Sequence, residues 1–114
     1  MSFEAQLNVE HAINWLSLSG RLDSATANDL EQVLLPLFAA PAPTVLVDFA
    51  GLGYISSAGL RVVLMAAKRA KQAGGRLMLC GLSSAVREVF EISGFLKILE
   101  VSDSRAEAER LLLA

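Results

Sequence analysis

The chain has 114 residues, 54% apolar and 19% charged, enough for one packed core, so a single domain over residues 1–114 is expected. Its net charge of −2 comes from interleaved acids and bases. That excludes the basic stripe needed to neutralise nucleic-acid phosphates. No apolar run approaches the ~20 residues of a membrane span, and Met1–Asn8 lacks the basic and apolar regions of a leader. A soluble cytoplasmic protein with no membrane insertion is expected.

Phe3–Val9 alternates apolar and polar residues, the period of a half-buried strand. Glu10–Ala12 reads as a turn and Ile13–Leu22 as a second strand, giving an antiparallel hairpin at one edge of a sheet. His11, at the hairpin tip, has no ligand-type neighbour and reads as a solvated turn residue. Asp23 and Ser24 precede a helix marked by Ala27, Leu30, Val33, Leu34, Leu37 and Phe38, and one of the two is expected to be its N-cap. Pro36 predicts a kinked or frayed last turn.

Thr44–Phe49 is a nearly continuous apolar run, as in a central strand covered on both faces, with Asp48 at its end and a glycine-containing turn (Gly51, Gly53) after it. Ser56 and Ser57 then open a helix whose inward stripe is Leu60, Val63, Leu64, Ala67 and Ala70, ended by Gly74 and Gly75. Arg76–Leu82 is the next strand. It contains Cys80, an unpaired thiol expected to act as a small hydrophobe. Ser83 and Ser84 start a third helix through Val86, Val89 and Phe90 to Gly94. Ile98–Val101 forms a short last strand, and Ser104–Glu107 is a capping-box match opening a terminal helix. The fold class is therefore α/β: a mostly parallel central sheet with right-handed crossovers, an N-terminal antiparallel hairpin and about four helices.

The motifs of common enzyme classes fail on their own requirements. Gly51-Leu-Gly53 continues into Ser56 without the third glycine of a dinucleotide fingerprint, and no Gly-Lys-Ser/Thr follows to make a phosphate-binding loop. The lone His11 is poorly placed for a serine hydrolase. One histidine and one distant cysteine supply no metal site. No cofactor, metal or catalytic residue is expected; what remains is a binding module open to modification.

A helix N-terminus carries unpaired N–H groups and about half a positive charge, so a phosphate on Ser56 or Ser57 could be accommodated there without refolding. Such a group adds about −1.5 to −2 charges, enough to abolish an interface. On the same helix Ala58, Val62, Met65 and Ala66 add an apolar strip beyond the inward stripe, flanked by Arg61 and Arg69. The strip is expected to be exposed and to bind a partner, unless a neighbouring helix or a weak homodimer covers it.

Three segments together, Gly20-Arg-Leu-Asp23, Asp48 and Ser56-Ser57-Ala58-Gly59-Leu60, resemble the STAS domains, most closely the single-domain bacterial anti-sigma factor antagonists. The resemblance spans nearly the whole chain. It implies a protein that, unphosphorylated, binds an anti-sigma factor serine/threonine kinase and frees a sigma factor, and that a PP2C-type phosphatase resets after phosphorylation. Aligned on Gly59-Leu60, Ser57 takes the phosphoacceptor position, with Ser56 as the fallback. Ser56 stands where many antagonists carry Asp, and Ala58 replaces a second serine. Asp23 matches an acid that helps recognise the kinase. The partner face would then comprise Asp23, Ser56, Ser57, Ala58, Arg61, Val62, Met65 and Arg69. The alternative within the family is an unphosphorylated STAS subunit of a lipid-trafficking ABC transporter or of a signalling scaffold.

Overall fold

Alternation along the central strands distributes apolar side chains to both faces of one sheet, so both faces have to be covered. In the computed structural model, which describes residues 3–113, this is achieved with helices on both sides. In chain order the elements are β1 (Glu4–Glu10), β2 (Ile13–Leu22), α1 (Ala27–Leu34), a 3-10 turn (Leu35–Ala39), β3 (Thr44–Ile55), α2 (Ser57–Gln72), β4 (Arg76–Cys80), α3 (Ser84–Ile92), a second 3-10 turn (Phe95–Lys97), β5 (Glu100–Ser102) and α4 (Arg105–Leu113). The strands lie side by side in sequence order, with β1 antiparallel to β2 and the remaining pairs parallel. The mixed sheet anticipated from the sequence is thus formed.

Val45, Val47 and Phe49 of β3 and Leu77 and Leu79 of β4 pack with α1, α2 and α3 in the larger core. The intervening residues Leu46, Met78 and Cys80 join Ile13, Trp15 and Ala108 in a smaller core under α4. Arg105 of α4 lies over the Trp15 ring at 4.5 Å from its centroid, sealing that second face with a cation–π contact.

Helix ends follow their local chemistry. Pro36 falls in the 3-10 turn after α1, where the frayed end was expected. α2 closes in a Schellman arrangement, with the N–H of Gly75 donating to the Ala70 carbonyl at 2.8 Å and that of Gly74, at φ +68°, to Lys71. Ser83 and Ser104 cap α3 and α4 through their hydroxyls.

Three boundaries differ from the sequence reading. β3 does not end at Asp48 but continues through Gly51 and Gly53 to Ile55, because β2 offers pairing partners as far as Leu22, with irregularities near Ser17–Ser19 and Gly20–Arg21 absorbing the mismatch. The N-cap of α1 is Thr26, since Asp23 and Ser24 are used in the preceding turn. β5 begins at Glu100, two residues later than expected, because Phe95–Lys97 forms the 3-10 turn.

The β1–β2 hairpin turns on His11 and Ala12 alone, at φ 53° and 62°. A two-residue turn with both residues left-handed suits Asn-Gly, and Ala12 is strained there. Ala12→Gly is therefore expected to raise unfolding stability by about 0.5–1 kcal/mol despite glycine's larger chain entropy, measured by urea denaturation.

Candidate functional site

The pairing of β3 with β4 ends at Asp48 opposite Cys80, while that of β2 with β3 runs on to Leu22 opposite Ile55. Both strands leave this extension together. The Ser56 N–H donates to the Leu22 carbonyl at 2.8 Å, so the turn holding Asp23 and the start of α2 are neighbours. Gly59 allows the approach. A Cβ built there would lie 2.6 Å from Leu22 Cγ and 3.1 Å from Ile55 Cγ1, so only glycine lets the first turn of α2 press on these strand ends.

The two serines have separate roles. Ser56 is extended (φ −94°, ψ 173°) and is the N-cap: its hydroxyl accepts from the Gly59 N–H at 3.3 Å. Ser57 is the first helical residue and is exposed, with its hydroxyl outside the cap. At the positive end of a 16-residue helix, that hydroxyl stands where added negative charge is stabilised.

Asp23 is held by its own turn. Its Oδ1 accepts from the N–H groups of Ala25 and Thr26 at 3.0 and 3.1 Å and from the Thr26 hydroxyl at 3.2 Å. Partial desolvation raises the carboxyl's pKa. The hydrogen bonds from Ala25 and Thr26 and the charge of Arg21 outweigh it, and the group sits below its ordinary value. Arg21 also stacks over the Tyr54 ring at 4.1 Å, placing a cation and a half-exposed aromatic beside Asp23. This Arg21–Tyr54 pair was missed in the sequence, because the two residues meet only through the β2–β3 register.

Next to Ser57, an open cleft of ≈ 250 Å³ runs between α1 and α2; Ala58, Arg61, Val62 and Met65 form its α2 wall and Ser24, Asn28 and Glu31 stand opposite. The expected exposed apolar strip is not there. Val62 is 4% exposed and Ala66 is fully buried, because α1 packs against this side of α2 and supplies the covering helix. Ala58 and Met65 remain half-buried at the cleft wall, and Arg61 is exposed. Arg69 lies further along α2 in a separate hollow with Glu31, Leu35 and Phe38. The structure thus gathers Asp23, Ser56, Ser57, Ala58, Arg61 and Met65 at one end, consigns Val62 to the core and leaves Arg69 apart.

Asp48 is also apart. It faces Cys80 in the β3–β4 register, and its Oδ1 accepts from the Ala50 N–H at 2.9 Å. Desolvation, helped by the Asp48 charge, pushes the Cys80 thiol up to about 12, so it is a buried hydrophobe and not a nucleophile. Among the described residues, no group of acids, histidine and cysteine is placed to hold a metal, and no helix is long and apolar enough to cross a membrane.

The family model described as "Mlab, STAS domain" matches residues 7–100. The chain belongs to the STAS domain family. Among curated proteins, it is 50% identical over 91 residues to BtrV of Bordetella bronchiseptica, named as a candidate anti-sigma factor antagonist, covering 80% of this chain and 78% of that one. Among solved structures, an anti-sigma factor antagonist from Mycobacterium paratuberculosis superposes with a TM-score of 0.90 at 19% identity, over 99% of this STAS chain and 96% of the other. The Bacillus cell fate determinant SpoIIAA in its phosphorylated form superposes at 0.73 with 23% identity, over 95% and 99%. These two likenesses establish the fold.

Two outcomes are expected at this end of the STAS domain. Gly59→Ala would gain up to about 1 kcal/mol from helix propensity at an open position. Here the added methyl meets Leu22, so a net loss of about 1–3 kcal/mol is expected in urea denaturation. Asp23→Asn tests the turn. A carboxylate with a depressed folded pKa stabilises the protein at pH above its ordinary range and loses that contribution as pH falls through the folded value. The melting temperature of the wild type should therefore exceed that of Asp23→Asn at pH 7, with the gap closing as pH drops below the usual carboxylate range.

Proposed function

We propose that this STAS domain is an anti-sigma factor antagonist: a binding protein, not an enzyme, that unphosphorylated engages an anti-sigma factor serine/threonine kinase and releases the sigma factor. Phosphorylation of Ser57 ends the binding, and a PP2C-type phosphatase restores it. The observation that carries this reading is the division between the serines. Ser56 is committed to capping α2, while the Ser57 hydroxyl is exposed at the helix start beside the Asp23 turn. The 50% identity to BtrV, a candidate anti-sigma factor antagonist, supports the partner class.

The physical basis is local. Phosphate at Ser57 would replace a small neutral group by about −1.5 to −2 charges at the mouth of the α1–α2 cleft. The unpaired N–H groups of the first turn and Arg61, one turn further on and exposed, offset that charge within the domain. A partner docked over Ser57 would have to desolvate the phosphate, and that cost ends the complex while the fold persists. Asp23, already ionised and fixed by its turn, offers a rigid acceptor to a basic group of the kinase.

The second reading, a subunit of a lipid-trafficking transporter, is the other role that the STAS resemblance implies. It requires no free acceptor hydroxyl, and phosphotransfer separates the two. With a cognate kinase and ATP, wild type should incorporate one phosphate, mapped to Ser57 by mass spectrometry, and Ser57→Ala none while still binding the kinase. Ser57→Asp should bind at least tenfold more weakly, about 1.4 kcal/mol. Met65→Glu, at the half-exposed cleft wall, should weaken binding with the melting temperature near wild type. Phosphate on Ser56, or none on any residue with binding intact, would overturn the assignment.

A further inference from the structure

An open sheet ends in two edges, each with a row of backbone N–H and C=O groups that face outward. Here the two edges differ. β5 has three residues, whereas β1 has seven and pairs with β2 over its whole length without a bulge. β1 carries no Pro, Lys or Arg, the residues that commonly blunt a free edge. Ala5 and Leu7 lie opposite Leu18 and Leu16 of the larger core, so Ala5, Leu7 and Val9 form the apolar side of β1 and Glu4, Gln6, Asn8 and Glu10 its polar side. Leu7 is 42% exposed and Val9 64%, so the helices leave this margin of the sheet uncovered.

The turn at His11 and Ala12 decides which backbone groups are free. In a two-residue hairpin the residues flanking the turn form a hydrogen-bonded pair, here Glu10 with Ile13, and such pairs recur at every second residue. Glu10, Asn8, Gln6 and Glu4 therefore turn their backbone groups to β2, and Val9, Leu7 and Ala5 turn theirs to solvent. The free groups belong to the apolar residues. Only another strand presents donors and acceptors at the spacing that completes such an edge.

We propose that this strand is β1 of a second copy, paired antiparallel about a two-fold axis at Asn8 so that one sheet runs through both protomers. A contact across a two-fold axis has to contain its own complement, and β1 can be checked for it residue by residue. Odd-numbered residues have to face odd-numbered ones for the outward groups to bond. An axis at Leu7 would set Glu4 against the other copy's Glu10 twice, and like charges directly opposite are destabilising. An axis at Gln6 would match Val9 with Phe3, which lies outside β1. An axis at Asn8 sets Leu7 against Val9 on both sides, each pair exchanging both of its hydrogen bonds, and puts the Gln6 amide against the Glu10 carboxylate. The two exposed apolar residues of β1 thereby cover each other, with no acid facing an acid. The contact contains neither Ser57 nor a residue of the α1–α2 cleft, and it forms in either phosphorylation state.

Sedimentation velocity of the whole chain up to about 1 mM, the scale of a weak contact, should show reversible dimerisation. Val9→Pro removes one outward N–H and none of the bonds to β2, so it should lower the association constant at least tenfold. Val9→Thr keeps the donor and suits a strand, and should change that constant by less than about threefold. Circular dichroism confirms the fold of both, and cross-linking decides if Val9→Pro does not fold. Asn8→Cys brings two thiols to the axis at a pair without mutual hydrogen bonds, whose Cα separation of about 4.5 Å suits a disulfide. With glutathione disulfide it should form a covalent dimer at least tenfold faster than Glu4→Cys, an exposed position away from the axis. Cys80 stays out of this reaction, being buried with its thiol pushed up to about 12. A monomer throughout the range would overturn the proposal, as would equal loss of association in the two Val9 variants or cross-linking no faster from Asn8→Cys than from Glu4→Cys.

Discussion

The contact on which the site depends is the approach of Gly59 to Leu22 and Ile55. These two residues end the paired extension of β2 and β3, and both are buried. Without a side chain at Gly59, α2 can begin directly above them, and the Ser56 N–H reaches the Leu22 carbonyl. Every functional placement follows from that geometry. Ser56 is turned into the cap, Ser57 is turned outward, and the Asp23 turn is fixed alongside because it continues from Leu22. The interaction is one of packing, yet it places the groups whose electrostatics matter.

The other end of α2 is held in the same way. Gly75 lies against Pro43 so closely that any side chain would clash with its carbonyl, and the Arg76 N–H donates to that carbonyl at 2.8 Å. A helix fixed at both ends over a core this well filled cannot shift by small amounts, because close-packed interiors resist continuous deformation. A charge added at Ser57 is therefore felt on the surface and not spread through the core. That suits the proposed switch, which would act by repulsion and desolvation without a change of fold.

The architecture was legible in the sequence because its signals are periodic. The apolar run from Thr44 and the helical stripe after Ser57 each report a local rule that the tertiary fold respects, whereas the alternation in Phe3–Val9 yields the strand but not its half-burial, since β1 lies at the sheet edge with Leu7 and Val9 exposed. The misreadings arose where the deciding partner is remote in sequence. Gly51 and Gly53 look like a turn in isolation, but β2 pairs with them and keeps them in β3. Val62 and Ala66 exceed what the sheet needs to cover, and only the presence of α1 shows that a second buried face exists. Asp23 looks like a cap because Asp favours caps. It does cap a turn, one step before the helix itself.

The same reasoning explains why the two serines could not be ranked by local chemistry alone. Serine is favoured at an N-cap and tolerated at the first helical position, so the dipeptide fits either register of the helix start. The register is decided by Gly59: the glycine has to face Leu22, and the cap hydroxyl has to reach the N–H three residues on. Those two conditions meet only when Ser56 is the cap, since its hydroxyl then accepts from Gly59 itself. The residue that makes the close approach also supplies the donor that occupies the cap. It thereby commits Ser56 to structure and leaves Ser57 as the hydroxyl available for chemistry.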